Sequence, residues 1–386
     1  MLRIIFFLTI LFSLLSQSAY AQRLGISSIL SMSWFVTFLI IFLRNPSAVR
    51  NKEFSAHALM LGGFIVFGLF AEVVTGQSYF ATDFRNMVIS FLIVVTSALF
   101  WRIEGSKQTM RMICLISLAS ALLLAIEVYQ SFLVKVELSQ VTYAYQQKNS
   151  MGQILLSCAV VWLLNVSSFS RKSVKAAGVA LLVLLIVIIF LMKARATILG
   201  GIVALLYVVL RTKRKFLRYS LIVLIIATLV FFLYYPDVYD NIVHSILLNN
   251  HSGGKWDDVS SGRIRLISHA LKEIPSNFFL GVGSHYLDCM PVAVIWQYGI
   301  IGGSIIFAFI YHLSKRVFTL QRTVDIHITT IVLYLITMTN SIFEAYAPFG
   351  PGIKCMFFWM FFGFSIVEIQ RRTMKPVTRR PMRQKA

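Results

Sequence analysis

Long apolar runs, nearly free of charge and separated by short basic loops, recur through most of this chain. Twelve can be read, at about 4–20, 28–43, 57–75, 87–101, 112–128, 152–166, 176–192, 197–210, 220–235, 291–313, 327–343 and 353–370. Runs of roughly this length match a hydrocarbon core of ~30 Å, which a helix can cross with its own backbone groups satisfied. The 58% hydrophobic content and mean hydropathy of +0.78 also exceed what a soluble domain carries. The expected fold is an all-α polytopic membrane protein with about 12 transmembrane helices.

The first run has a second reading. Arg3, an apolar stretch and Ser18-Ala19-Tyr20-Ala21 before Gln22 resemble a signal peptide with a small-residue cleavage site. Cleavage would leave the later topology unchanged, and Arg23 is placed outside either way.

The net charge of +21 is a topology signal. With the spans alternating from an inside N-terminus, one side receives Arg3, Arg44, Arg50, Lys52, Arg102, Lys107, Arg111, Arg171, Lys172 and Lys175. The cluster from Arg211 to Arg218, then Lys315, Arg316, Arg322 and the tail from Arg371 to Lys385 fall on that side too. This is the positive-inside bias, and it places both termini in the cytoplasm. The excess therefore calls for no nucleic acid, and the tail is suited to anionic lipid headgroups. The organisation expected is spans one to nine over 1–235, one long outward loop over 236–290, spans ten to twelve over 291–370, and a basic tail over 371–386. Four scattered cysteines, Cys114, Cys158, Cys289 and Cys355, show no metal spacing. Cys289, beside Asp288, is the candidate for a reactive thiol.

Charges near the outward side are few. Arg195 lies in the short break Lys193-Ala194-Arg195-Ala196-Thr197, where it either snorkels or grips a phosphate with its planar fork. Arg263 follows Ser261-Gly262 and opens a run with Ile264, Ile267, Leu271 and Ile274 at helical spacing. That predicts a short amphipathic helix capped by serine and ended by Pro275. Arginine in a first turn opposes the helix dipole unless an anion sits there. The alternative is an interfacial helix with Arg263 and Arg265 on lipid headgroups. Gly281-Val282-Gly283 predicts a tight return of the chain towards the membrane. Asp288, with His285 close by, and Glu344 sit at the outer boundary; either carboxylate is a candidate for a base that takes a proton from a hydroxyl, and the ordinary alternative for Asp288 is an ion pair with a loop arginine. Lys148-Asn149 opens the sixth span, near Tyr143 and Tyr145, which are belt aromatics or sugar platforms. Asp257-Asp258 are not expected to hold a metal.

Lys148-Asn149-Ser150-Met151-Gly152, Arg195, Ser261-Gly262-Arg263, Pro275, Gly281-Val282-Gly283 and Gly299-Ile300-Ile301-Gly302 occur in this order. Together they resemble the O-antigen ligase and polymerase superfamily of outward-facing membrane glycosyltransferases, over roughly 140–310. The resemblance implies a GT-C-like fold with a periplasmic loop in the bacterial inner membrane. It also implies an undecaprenyl-pyrophosphate-linked oligosaccharide as substrate and membrane lipid as surroundings, with no cofactor and with room for a chain-length regulator. Arg195 and Arg263, assisted by Arg265 and Lys148, would hold the donor pyrophosphate. Asp288, with Glu344 or His285 as alternates, would accept the acceptor's proton. Ligase-type members carry His-Asn before the Gly-Ile-x-Gly span. Here that region reads Leu287-Asp288-Cys289-Met290-Pro291, and His285 is not followed by Asn. This departure resembles the Wzy-type polymerase branch. A ligase, or a lipid-linked-sugar flippase or transporter, is the alternative.

Overall fold

The computed structural model describes residues 1–44, 54–80, 82–134, 148–211, 262–321, 324–344, 348–349 and 354–373, with single positions between 219 and 234. No strand occurs among the described residues. The chain forms α1 (Leu2–Leu15), α2 (Ala19–Arg23), α3 (Ser27–Ser31), α4 (Ser33–Arg44), α5 (Ser55–Thr75), α6 (Thr82–Glu104) and α7 (Lys107–Val134). It continues with α8 (Lys148–Asn165), α9 (Lys172–Leu191), α10 (Arg195–Arg211), α11 (Arg263–Glu273), α12 (Met290–Phe318), α13 (Asp325–Ser341) and α14 (Met356–Thr373).

Helices thus stand in eleven of the twelve expected runs, and the run 220–235 lies outside the described residues apart from isolated positions. Among the described residues, seven stretches are long and apolar enough to cross a membrane: Ser27–Arg44, Ser55–Thr75, Phe84–Glu104, Lys107–Gln130, Lys148–Ser168, Lys172–Leu191 and Met290–Phe318. The expected twelve are not all of that kind. Helix α1 has 14 residues, and α10 and α13 have 17 each, fewer than the ~20 of a full perpendicular span. Helix α14 carries Glu368, Arg371 and Arg372 in its last six residues, Glu368 to Thr373. The first expected run is also divided, because Ser16 and Gln17 interrupt it and Ser18 caps α2 by accepting a hydrogen bond from the Ala21 N–H.

Helix α8 is enclosed, with buried residues around its whole circumference from Asn149 to Asn165. Helices α5 and α9 keep Val66, Leu69, Phe70, Val73, Val183, Leu184 and Val187 exposed, the apolar outer face that lipid would cover. The bundle has two polar ends. At one, Arg3 pairs with Glu104 at 2.5 Å, Arg371 with Glu368 at 3.0 Å, and Ser167 donates to Asp325 at 2.7 Å. The other end holds the starts of α8, α10 and α11 and the turn after α13.

At that second end α12 is broken. Gly299 leaves helical geometry at φ 59° and ψ −168°. The segment Phe278–Gly283 docks into the gap and pairs with the backbone groups released there. Val282 N–H donates to Trp296 O and Gly283 N–H to Gln297 O, both at 3.0 Å. From the far side of the break, Ile300 N–H donates to Phe278 O at 2.8 Å and Ile301 N–H to Phe279 O at 3.3 Å. Unpaired groups here would each cost several kcal/mol in a dry environment, so the break persists because the loop fills it. Two glycines permit the approach. A Cβ on Gly281 would lie 2.3 Å from Gln297 O, and one on Gly299 would lie 2.3 Å from Phe279 O. Both also have φ in the left-handed region, at 77° and 59°. The expected return of the chain at Gly281-Val282-Gly283 is therefore a backbone-to-backbone seam with the Gly299 motif. Buried Tyr79 closes it, its hydroxyl donating to Gly281 O at 3.2 Å.

Gly281→Ala and Gly299→Ala should each reduce the folded yield and lower the melting temperature in detergent, since strain alone costs ~1–3 kcal/mol before the clash is added. Gly62→Ala, at a position with nothing within 4 Å of the added Cβ, should melt at or above the parent temperature. Equal melting of all three variants would show that the seam is not required.

Candidate active site

Three helix starts meet at the polar end that carries the seam. Asn149, at the second position of α8, is buried and donates through Nδ2 to Glu344 Oε1 at 2.8 Å. Its carbonyl accepts from Thr197 Oγ1, in the first turn of α10, at 3.1 Å. Gly152 lets these two helix starts touch, because a Cβ there would already lie 3.0 Å from Ala194 and Thr197. Arg195 is the first residue of α10, half-buried and within electrostatic reach of Arg263. The turn leading to it includes Lys193 at φ 51°, a left-handed conformation uncommon for a residue with a Cβ. Arg263 opens α11. Helix starts carry free N–H groups and partial positive charge, so this convergence favours an anion.

The anions present are carboxylates. Arg263 Nε donates to Asp288 Oδ2 at 3.2 Å, and its Nη2 lies 3.7 Å from Glu344 Oε1. Lys354 Nζ lies 3.4 Å from Glu344 Oε2. Glu344 is thereby held by Asn149, Arg263 and Lys354 at once. The second oxygen of Asp288 accepts from the Tyr286 hydroxyl. Desolvation of the hydroxyl, that hydrogen bond and the charges of Asp288 and Glu344 raise the Tyr286 pKa above its ordinary value while the ring stays exposed, so the phenol keeps its proton and donates. Arg195, Arg263 and Lys354 against Asp288 and Glu344 leave one positive charge in excess, and half-buried Lys148 stands beside them at the start of α8. Among the described residues the cluster so drawn is net positive, which suits a further anion.

Four residues expected from the sequence thus converge here: Arg195, Arg263, Asp288 and Glu344. The ion pair raised as the ordinary role of Asp288 is present. His285 is held differently, with its ring 5.4 Å from Trp296 and its carbonyl accepting from the Gln297 side chain. Arg265 is exposed on α11 near its own helix start. The expected serine cap of α11 is replaced by Gly262, at φ 79° and without a side-chain cap bond. The helix stops at Glu273, before Pro275. Ile267 and Ile274 pack against Leu287, Ala293 and Trp296, whereas Ile264 and Leu271 face outward. Cys289, considered as a reactive thiol, is buried, as are the other three cysteines. Tyr143, Tyr145, Asp257, Asp258 and Ser261 lie outside the described residues.

Lys354 and Tyr286 were not anticipated. Lys354 follows a Gly-Pro-Gly-Ile stretch and looks like a span-end cation in sequence. Only the fold buries it to 1% exposure against an acid ten residues earlier.

Residues 180–299 match the O-antigen ligase (Wzy_C) family model. The matched stretch contains Arg195, Arg263, Asp288 and both halves of the glycine seam. It supports the O-antigen ligase and polymerase superfamily and, with the membrane-spanning helices, a multi-pass membrane enzyme of glycosyltransferase type. No curated protein and no solved structure matches the chain.

Removing one member of a buried pair leaves the other charged and unsolvated, at a cost of ~3–5 kcal/mol. Glu344→Gln should therefore lower the melting temperature in detergent more than Lys354→Met, because Glu344 retains Arg263 and Asn149 when the lysine is gone. The double variant should melt above Glu344→Gln alone. Strict additivity of the two losses would rule out this coupling.

Proposed function

We propose that the chain is a polysaccharide repeat-unit polymerase. It transfers an undecaprenyl-pyrophosphate-linked glycan onto another lipid-linked repeat unit at the outer face of the bacterial inner membrane, with both termini cytoplasmic. The observation that carries this reading is Arg263 held between Asp288 and Glu344, with Arg195 within electrostatic reach of it, where three helix starts meet. The grouping of Arg3, Arg102, Arg111 and Arg371 at the opposite end supports the sidedness.

In the proposed step the acceptor hydroxyl gives its proton to Asp288 while its oxygen attacks the anomeric carbon. The bond from that carbon to the pyrophosphate oxygen breaks, and the bonding pair leaves with the lipid pyrophosphate. Arg195 and Arg263 neutralise the charge that grows on the leaving group, with Lys148 and Arg265 as outer cations. A single displacement inverts the anomeric centre and uses no metal. Asp288 suits the base role better than Glu344. Its side chain is 15% exposed against 6%, and Glu344 is engaged by three partners as a positioning group. The polymerase reading over the ligase rests on Asp288 standing where the ligase pattern has His-Asn, with the His285 ring turned onto Trp296.

Deletion should abolish long-chain ladders while single repeat units are still displayed. Loss of all surface glycan, with long lipid-linked chains accumulating, would instead favour a ligase. Single units retained on the cytoplasmic face would favour a flippase. Arg195→Ala and Arg263→Ala should each remove the ladder at normal protein level, and wild-type chain length in either would exclude the clamp. Asp288→Asn should slow polymerisation by at least ~100-fold, the lower range for loss of a general base. Unchanged rates there would pass the role to Glu344.

A further inference from the structure

We propose that the face of Tyr286, with the neighbouring oxygen of Asp288, is the subsite for the acceptor sugar, an assignment that rests on the transferase reading. The loop that carries Tyr286 is fixed on both sides. Gly283 N–H donates to Gln297 O at 3.0 Å and Ser284 N–H to Ser78 O at 2.9 Å. The His285 ring lies on Trp296, and Leu287 is buried to 1%. From this pinned backbone the Tyr286 side chain emerges 55% exposed.

Its hydroxyl sets it apart from an ordinary surface aromatic. A tyrosine of the membrane belt turns its hydroxyl to water and headgroups. This one turns inward and donates to Asp288 Oδ1, while Oδ2 of the same carboxylate takes Arg263. Asp288 therefore separates two regions: the guanidinium and helix starts on one side, a fixed aromatic ring on the other. The first suits a pyrophosphate. The second suits a pyranose, whose C–H face packs on an aromatic ring while its hydroxyls reach a neighbouring carboxylate. A ring already held in place loses little conformational freedom when the sugar arrives. The arriving hydroxyl is the same kind of donor as the phenol, so it can replace or join the Tyr286 bond at Oδ1. That places the proton to be transferred at the oxygen not engaged by Arg263.

The test uses the purified full chain in detergent and two probes. One is the free oligosaccharide released by mild acid from lipid-linked units of the host, titrated by saturation-transfer NMR. The other is inorganic pyrophosphate. Tyr286→Ala should weaken oligosaccharide binding about tenfold while pyrophosphate binding stays within about twofold, which also reports that the variant is folded. Tyr286→Phe keeps the ring and should bind the oligosaccharide nearly as wild type does. Arg263→Ala should show the reverse pattern, losing pyrophosphate and keeping sugar. Wild-type oligosaccharide affinity in Tyr286→Ala, a loss in Tyr286→Phe as large as in Tyr286→Ala, or no binding to the parent protein would each overturn the subsite. If the parent binds the sugar through Tyr286 but fails to bind pyrophosphate, the arginine clamp falls and the sugar subsite stands.

Discussion

The broken helix at Gly299 is the constraint on which the candidate site depends. A helix interrupted within an apolar bundle exposes N–H and C=O groups that must find partners inside the protein. Here they are supplied by Phe278–Gly283, so the loop before α12 is stitched to α12 by four backbone hydrogen bonds. That seam fixes the path of the next residues, and those residues include Tyr286 and Asp288. It also sets α11 over Leu287, Ala293 and Trp296, which directs Arg263 at Asp288. Backbone satisfaction and the placement of charge are one event in this structure.

The charges then hold one another. An arginine at a helix start is unfavourable against the dipole, and a carboxylate among apolar helices is costly when alone. Joined, Arg263 with Asp288 and Glu344, and Glu344 with Lys354 and Asn149, each offsets the burial of the next. Arg263 has spent its Nε on Asp288 at 3.2 Å, while its Nη2 sits 3.7 Å from Glu344, beyond a hydrogen bond. The terminal fork is therefore oriented by an ion pair to Glu344 without a hydrogen bond to it.

Much of this was legible in sequence because the signals were local. Apolar run length revealed the helices, although the divided first run and the 17-residue α10 and α13 show that length alone does not fix a count of spans. Arg195, Arg263 and Asp288 stood out as charges near breaks in apolar runs. The rest depended on long-range approach. Nothing in Gly281-Val282-Gly283 or Gly299-Ile300-Ile301-Gly302 states that they pair with each other, since either alone reads as a turn or a close helix contact. Lys354 resembled an ordinary span-end cation until the fold placed Glu344 beside it. Tyr286 carries no motif, and its exposure and its bond to Asp288 exist only in three dimensions. The serine cap of α11 failed for a local reason: Gly262 adopts the left-handed conformation at the cap and offers no side chain to accept a bond.

The family match covers 180–299, yet the site does not close within it. Asn149 precedes the matched stretch, and Glu344 and Lys354 follow it. The matched part supplies both arginines, Asp288 and the seam as far as Gly299. The flanking part supplies the buried acid beside Arg263 and the buried lysine that pairs with that acid. The two carboxylates differ in setting: Glu344 is enclosed by Asn149, Arg263 and Lys354, and Asp288 borders the exposed ring of Tyr286. Two acids on one arginine would be redundant as bases. In the proposed step they divide the work, Glu344 as support and Asp288 as base.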